Sequence, residues 1–554
     1  MNKKIFLISI LILIISFCYF NTLNNEFLDY DDDIYIVNNY LIKNLNYQNI
    51  KRIVFGYYFS GHYPLLLFSY AFEYLLWDLN PVGYHITNLL FFTFSNILIF
   101  FIILAIVAEN QKKFFIASIT SLLFATHPVH VESVTWLSER KDVLFAFFFL
   151  FSFYLFIKFH KTKKNRYFLF SFSTFIIACL SKSTAVVFPL LLLPYSYFFC
   201  KKDEMKKILT VSIPYFLVSL FFLFIAIKSG QSSGNIKAYP TDNFFINTLF
   251  ALKIVGVYLY KLTLPFNLIP RYVFDVEKEF YQLDTIFFIL LFCGFIAILL
   301  RNFRKNKYIS FGIIWFLITL LPTSNIIPLS NLMGDRFMYL PSIGFFMLIS
   351  ATLVKYRKPF LYFLLSLLII SLSLLTVKQN GVWENSLTFW TYNLNHEPRN
   401  AIAHNNLGNY YFQREEFKNA LNHYNLALKY NPDFSKAYLN LGLISLENGE
   451  SQKAIGYFYE AIKRDPVCYE AYNNLGNVLL KDNKIDDAII VYQKVLEIAP
   501  QNVGAYYNLG NAFARKGLYK KALDCFKIFA KYWSGDPRKI QQALTNIKKL
   551  EELI

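Results

Sequence analysis

Hydrophobic residues along the first 378 positions gather into long runs, near 5–23, 83–107, 114–130, 142–160, 167–182, 184–199, 208–228, 285–300, 308–327, 337–354 and 360–377. Each reads as a membrane-crossing helix, although several fall short of the ~20 residues that a straight crossing needs. Two further apolar stretches, 63–79 and 246–266, would break the alternation of the loops if they crossed. They are expected to lie along the outer surface instead. The first span resembles a signal peptide, but Phe20, Asn21, Thr22 and Leu23 offer no small-residue cleavage site, so it is expected to stay as an anchor.

Beyond the last apolar run the pattern changes to short amphipathic stretches that recur every 34 residues. Leu407-Gly408, Leu441-Gly442, Leu475-Gly476 and Leu509-Gly510 keep that spacing, as do Ala420, Ala454, Ala488 and Ala522, and Pro432, Pro466 and Pro500. This is the tetratricopeptide period, in which small residues let two antiparallel helices approach and proline stops the second. The chain therefore predicts an all-α protein: a polytopic membrane domain over 1–378 with about 11 crossings, a connecting half-repeat helix over 379–400, four repeats over 401–536 forming an α-solenoid, and a capping helix over 537–554. A solenoid of helix pairs presents a trough suited to extended peptide. Asn405, Asn440, Asn474 and Asn508, near the first helix of successive repeats, are candidates for holding acceptor polypeptide; solvated face residues would look the same.

Charge fixes the orientation. The net charge of +18 could suggest nucleic acid, but the excess sits in short loops of the membrane half, where 20 Lys and Arg oppose only Glu109, Asp203 and Glu204. By the positive-inside rule these loops are cytoplasmic, which puts the N-terminus inside and the repeats outside; a nucleic-acid partner loses its support. No Asn-x-Ser/Thr acceptor occurs in the chain, which favours a bacterial inner membrane with periplasmic repeats over a eukaryotic secretory route. Six cysteines show neither disulfide nor metal spacing.

Chemistry-bearing residues collect at the outer ends of the spans. The first external loop carries Asp29, Asp31, Asp32 and Asp33, a run that would suit a general base with a companion carboxylate or, equally, an acidic helix cap. Ionisable residues crowd His127-Pro128-Val129-His130-Val131-Glu132 and Ser138-Glu139-Arg140-Lys141-Asp142. Groups at this depth usually face a pocket, although span ends also snorkel. His-x-x-His-x-Glu is not a zinc spacing, so no metal is expected. Lys182 and Arg336 each add a cation at the same face, as phosphate partner or span anchor. Soluble-enzyme signatures such as a Walker loop or G-x-S-x-G are missing.

Taken together, Tyr30-Asp31-Asp32-Asp33, the run from Asn80 to Asn88, the run from His127 to Asp142, Leu180-Ser181-Lys182 and the run from Asp335 to Ser342 resemble the transmembrane and tetratricopeptide repeat-containing O-mannosyltransferases, of the GT-C class. The resemblance implies that Asp31 and Asp32 are the acidic pair, one of them the catalytic base. It implies that His127, His130, Glu132, Arg140 and Asp142 shape the sugar-donor site, and that Arg140, Lys182 and Arg336 meet the lipid phosphate. Ser183 stands where relatives usually have Glu. The implied activity is transfer of mannose from a polyprenyl-phosphate donor to Ser/Thr hydroxyls of proteins on the outer face, with membrane lipids as surroundings and no cofactor beyond the lipid-linked sugar. Two other readings stay open: a GT-C transferase acting on a lipid or surface glycan, and a non-enzymatic repeat-bearing membrane scaffold.

Overall fold

The computed structural model describes residues 3–56, 61–108, 110–232, 234–356, 358–533 and 537–554. Glu109 and Arg357 of the charge count, and the end of the last repeat at 534–536, lie outside the described residues. Among those described, the chain is helical apart from one isolated bridge between Ile236 and Leu329. It divides into two compact units, Met1–Tyr392 and Asn393–Ile554. Residues 379–392, expected to connect, pack into the first unit: Asn380 Nδ2 donates to Cys18 O at 2.8 Å, and Trp383 and Trp390 are buried.

Among the described residues of the first unit, seven helices are long and apolar enough to cross a membrane: Lys3–Asn24, Pro81–Ile106, Leu137–Thr162, Lys202–Gln231, Phe244–Thr263, Leu283–Asn302 and Pro359–Trp383. An eighth is the bent pair Lys112–Thr126 and Pro128–Thr135, which turns by 56° where Pro128 forbids continuation. Four shorter apolar helices, Pro64–Trp77, Ser183–Phe199, Lys307–Thr323 and Pro341–Tyr356, fall below that length. So does Asn165–Ser181, at 17 residues. The expected count of eleven includes several of these short elements, each less than a straight bilayer thickness at 1.5 Å per residue. They are held tightly nonetheless. A Cβ added at Gly344 would lie 2.2 Å from Gly312 O, so the helices bearing these glycines touch backbone to backbone.

The unit has two chemically distinct ends. At one, the basic loops meet: Lys161 Nζ donates to Ala105 O, His160 and Lys163 pair with Glu204, and Lys307 lies over the Phe199 ring. At the other, the polar runs converge. Both surface-helix candidates have both flanks at that second end. Around Phe244–Thr263, Lys237 N donates to Pro328 O and Tyr239 Oη to Ile326 O before the helix, while Tyr272 Oη donates to Asp335 after it. Around Pro64–Trp77, Lys141 lies over the Tyr63 ring at the start, and Glu73 pairs with Arg140 near the finish.

The second unit is four helix pairs, Ala401–Gln413 with Phe417–Tyr430, Ser435–Glu447 with Ser451–Arg464, Tyr469–Lys481 with Ile485–Ile498, and Val503–Arg515 with Tyr519–Tyr532, then Pro537–Glu551. One device repeats in each pair. A Cβ at Gly408, Gly442, Gly476 or Gly510 would come within 2.5–3.0 Å of the ring of Tyr424, Phe458, Tyr492 or Phe526 respectively. The 34-residue glycine is therefore the hollow into which an aromatic of the second helix fits.

Candidate active site

The first loop after Lys3–Tyr19 is pinned at successive residues. Glu26 N donates to Glu384 O at 2.8 Å, Asp29 N to Ser386 Oγ at 3.0 Å, and Trp390 Nε1 to Asp29 Oδ1 at 2.9 Å. Asp32 is 1% exposed; its carboxylate accepts from Leu28 N at 3.0 Å, Ser138 N at 2.8 Å and the Ser138 hydroxyl. Asp31, between these anchors, differs from both. Its φ of 144° lies where an L-residue with a Cβ is strained, and its carbonyl accepts the amides of Ile34 and Tyr35 as the chain enters a wide turn over Asp33–Val37. Its side chain borders a cavity. Burial pushes the Asp31 carboxyl up to about 7, against the pull of Lys141, with Asp32 and Glu139 adding to the rise. Burial also raises Asp32, to about 6, opposed by its hydrogen bonds from Leu28 and Ser138.

The same cavity is bordered by a knot of opposite charges. Trp136 and Pro128 break the chain between the bent pair and the long helix Arg140–Thr162 into single turns, so that consecutive residues point in different directions. Glu139 is the hub, 1% exposed: Lys182 Nζ lies 2.8 Å from it, Lys141 Nζ 3.2 Å and Arg336 Nε 3.7 Å. Lys182 also pairs with Asp142, which accepts from Ser133 Oγ at 3.1 Å. Arg336 also pairs with Glu132, whose second oxygen accepts the Arg336 amide at 2.9 Å. Three cations are thus held in place by carboxylates that an incoming phosphate would have to share.

The cavity measures about 440 Å³. Asp31, Glu139, Lys141, Lys182, Arg271 and Arg336 face it on the polar side; Phe222, Leu223, Ile225, Ala226 and Ile227 of the helix Lys202–Ser232 form an apolar wall. Tyr30 and Trp136 close a third side, their rings stacked at 4.8 Å. This is room for a charged headgroup at one end and hydrocarbon at the other.

The residues singled out from the sequence separate into two sets. Asp31, Lys182 and Arg336 border the cavity. Glu132 and Asp142 lie behind them as counter-charges. Arg140, expected to meet the phosphate, is turned away: it is fully buried, with Nε donating to Asn88 Oδ1 at 2.7 Å, Nη2 to Tyr84 O at 2.9 Å and Nη1 paired with Glu73. Its neighbour Lys141, one residue and about 100° further round the helix, takes the cavity position. His127 and His130 are likewise internal. His127 Nδ1 accepts the Val129 amide and its Nε2 meets Leu262 O, while the His130 ring packs against Phe124 at 4.2 Å. Among the described residues no three His, Cys, Asp or Glu side chains converge as metal ligands do.

Glu139, Lys141, Arg271, Tyr30 and Trp136 complete the cavity without having been singled out as site residues. Glu139 and Lys141 stand inside the polar run, so their signal was present; Arg271 sits alone between apolar stretches and gave none. Asp29, expected to matter less than the pair beside it, anchors the loop through Trp390.

In the repeats, Asn440, Asn474 and Asn508 hold one phase, and Asn406 shares it; Asn405 is one position out and is 2% exposed. Asn440 Nδ2 donates to Asn405 and Asn409, both at 2.9 Å, and Asn508 Nδ2 to Asn473 at 3.0 Å. These amides bridge neighbouring repeats, so part of their hydrogen-bonding capacity sets the register of the solenoid.

Comparison with known proteins gives matches to both units. Residues 61–228 match the family described as dolichyl-phosphate-mannose-protein mannosyltransferase, and residues 405–466 and 476–517 match tetratricopeptide repeat families. The protein O-mannosyl-transferase F38B6.6 of Caenorhabditis elegans is 26% identical over 415 residues, 70% of this chain and 58% of that protein. The human protein O-mannosyl-transferase TMTC3 is 23% identical over 470 residues, 74% of this chain and 50% of that one. The chain thus spans about half the length of these relatives. The crystal structure of MamA is 28% identical and covers 26% of this chain and 84% of its own, with a TM-score of 0.24. The first unit is thus similar to dolichyl-phosphate-mannose-protein mannosyltransferases, the second to tetratricopeptide repeats, and most of the chain to proteins named protein O-mannosyl-transferase.

Proposed function

We propose that the protein transfers mannose from a polyprenyl-phosphate carrier to Ser/Thr hydroxyls of polypeptides at the end of the membrane unit opposite the basic loops. The observation that carries this reading is the cavity whose polar side holds Asp31 together with Lys141, Lys182 and Arg336 and whose wall is an apolar helix face. Asp31, with no side-chain anchor of the kind that fixes Asp32, acts as the base; its raised pKa, about 7, matches a group that must accept a proton near neutral pH. As the acceptor oxygen attacks the anomeric carbon, its proton passes to Asp31, the bond from that carbon to the phosphate oxygen breaks, and the phosphate leaves with one more negative charge. Lys141, Lys182 and Arg336 stabilise that charge. One displacement inverts the sugar carbon. The apolar wall receives the lipid chain.

The repeats gather the acceptor segments whose hydroxyl is consumed. With the basic loops cytoplasmic, the N-terminus is inside and the site periplasmic in a bacterial inner membrane. Eleven crossings with Pro64–Trp77 and Phe244–Thr263 lying along the outer surface agree with both ends of each meeting the site end. The test is a transfer assay on purified protein with polyprenyl-phosphate mannose and a Ser/Thr peptide. Mannosylated peptide from the native protein and none from Asp31→Asn is the expected result; no transfer by the native protein to peptide, with transfer to a lipid or glycan acceptor instead, would replace the protein-acceptor reading.

A further inference from the structure

The strain at Asp31 has to be held from both sides, because a backbone conformation that costs about 1–3 kcal/mol relaxes unless its surroundings over-determine it. On the C-terminal side the holder is Ser138, which binds the Asp32 carboxylate through its amide and hydroxyl. On the N-terminal side it is a segment some 360 residues later in the chain. Trp390 Nε1 donates to Asp29 Oδ1 at 2.9 Å, Ser386 Oγ accepts the Asp29 amide at 3.0 Å, and the Tyr30 ring lies 5.2 Å from Phe389 and 5.3 Å from Trp390. Trp390 is fully buried. Ser386, Phe389 and Trp390 belong to the helix Ser386–His396.

We propose that Trp390, acting with Ser386 through Asp29, is a positioning residue for the base: the helix that leads into the repeats sets where the Asp31 carboxylate stands. The proposal rests on the reading of Asp31 as the base. Without the Trp390 N–H, Asp29 loses its anchor, the loop relaxes toward ordinary backbone angles, and the Asp31 carboxylate moves out of its buried place against Lys141 toward water. Two effects follow together. Turnover falls, because a displacement on the order of 1 Å at the reacting centre costs roughly 10- to 100-fold. The acid limb of the turnover profile moves to lower pH, because burial is the main cause of the raised Asp31 value.

The experiment compares full-length purified Trp390→Phe, which keeps an aromatic ring but loses the indole N–H and part of its volume, and Ser386→Ala with the native protein, using polyprenyl-phosphate mannose and a Ser/Thr peptide. Expected are a kcat lowered by roughly tenfold or more in Trp390→Phe, a smaller loss in Ser386→Ala, a KM for the sugar donor within about twofold of native, and an acid limb displaced downward by about half a pH unit. A purely structural role would lower the active fraction and leave the pH profile where it is. Native kcat and native pH profile in both variants, with Asp31→Asn inactive, would overturn the positioning role alone. Full activity of Asp31→Asn would overturn the base assignment, and the positioning role with it.

Discussion

Replacing Asp31 and Asp32 one at a time by Asn should give opposite outcomes, although the two residues are neighbours of like charge. Asp32 accepts three hydrogen bonds spread over both carboxylate oxygens. An Asn amide presents one oxygen and one NH2, so it must turn a donor toward either Leu28 N or Ser138 N. A buried amide left without an acceptor costs about 1–3 kcal/mol. Asp32→Asn is therefore expected to unfold at lower temperature at neutral pH and to lose activity mainly through lost folded protein. Asp31 has no such set of bonds to lose. Raising its carboxyl from the ordinary 3.8 to about 7 corresponds to about 4 kcal/mol between its charge states, of which about 2 kcal/mol survives beside a cavity open to water. The sign follows from the raised value: the folded protein holds the proton more tightly than the unfolded chain, so this stability is complete below pH 3.8 and is lost as pH rises to about 7. Asp31→Asn, with nothing to ionise, escapes the loss. Scanning fluorimetry from pH 4 to 8 should show its melting temperature drawing ahead of native by roughly 2–4 °C and staying ahead above pH 7, while kcat falls by about 10²-fold or more. A melting difference independent of pH, or a kcat within tenfold of native, would refute the assignment.

Lys182→Gln should raise the KM for the sugar donor by roughly tenfold or more and, because it leaves Asp142 without its buried cation, also lower the melting temperature; Arg140→Met, which strands Glu73, should cost about 3–5 kcal/mol of stability, read by the same scan. In the repeats, Gly476→Ala pushes a methyl to 2.6 Å from the Tyr492 ring and should destabilise by about 1–3 kcal/mol; Tyr492→Leu in the same chain should recover part of it. Cysteines at Asn80 and Asn243 in a cysteine-free background should label from the outside, and those at Lys164 and Lys305 only after permeabilisation; labelling of Asn80 and Lys164 from one side would invert the topology. A further expected outside position, Tyr57, lies outside the described residues.

The period of the repeats was legible in the sequence because the same contact recurs: after each Leu-Gly glycine of a first helix an aromatic follows 16 residues later to fill the hollow. The two ends of the membrane unit were legible because charge sorts by side. Less could be read where adjacent residues diverge. Arg140 and Lys141 carry the same charge at the start of one helix, and only the packing of Tyr70, Tyr84 and Glu73 around the first decides that the second meets the cavity. Asn405 and Asn406 stand side by side, and one residue along a helix turns a surface position into a core one. The anchoring of Asp29 by Trp390 joins residues 361 apart, a separation that no local pattern announces.

The φ of 144° at Asp31 is an angle that glycine adopts without penalty. Asp31→Gly would release the backbone strain and remove a carboxyl that resists burial, so the inactive protein should outlast the active one on heating. A library of variants at this position, sorted by heat survival, would enrich glycine; sorted by sugar transfer, it would return aspartate. Selection for robustness and selection for sugar transfer should pull in opposite directions at this residue, and a thermostabilised version of the protein has to be sought anywhere else in the chain first.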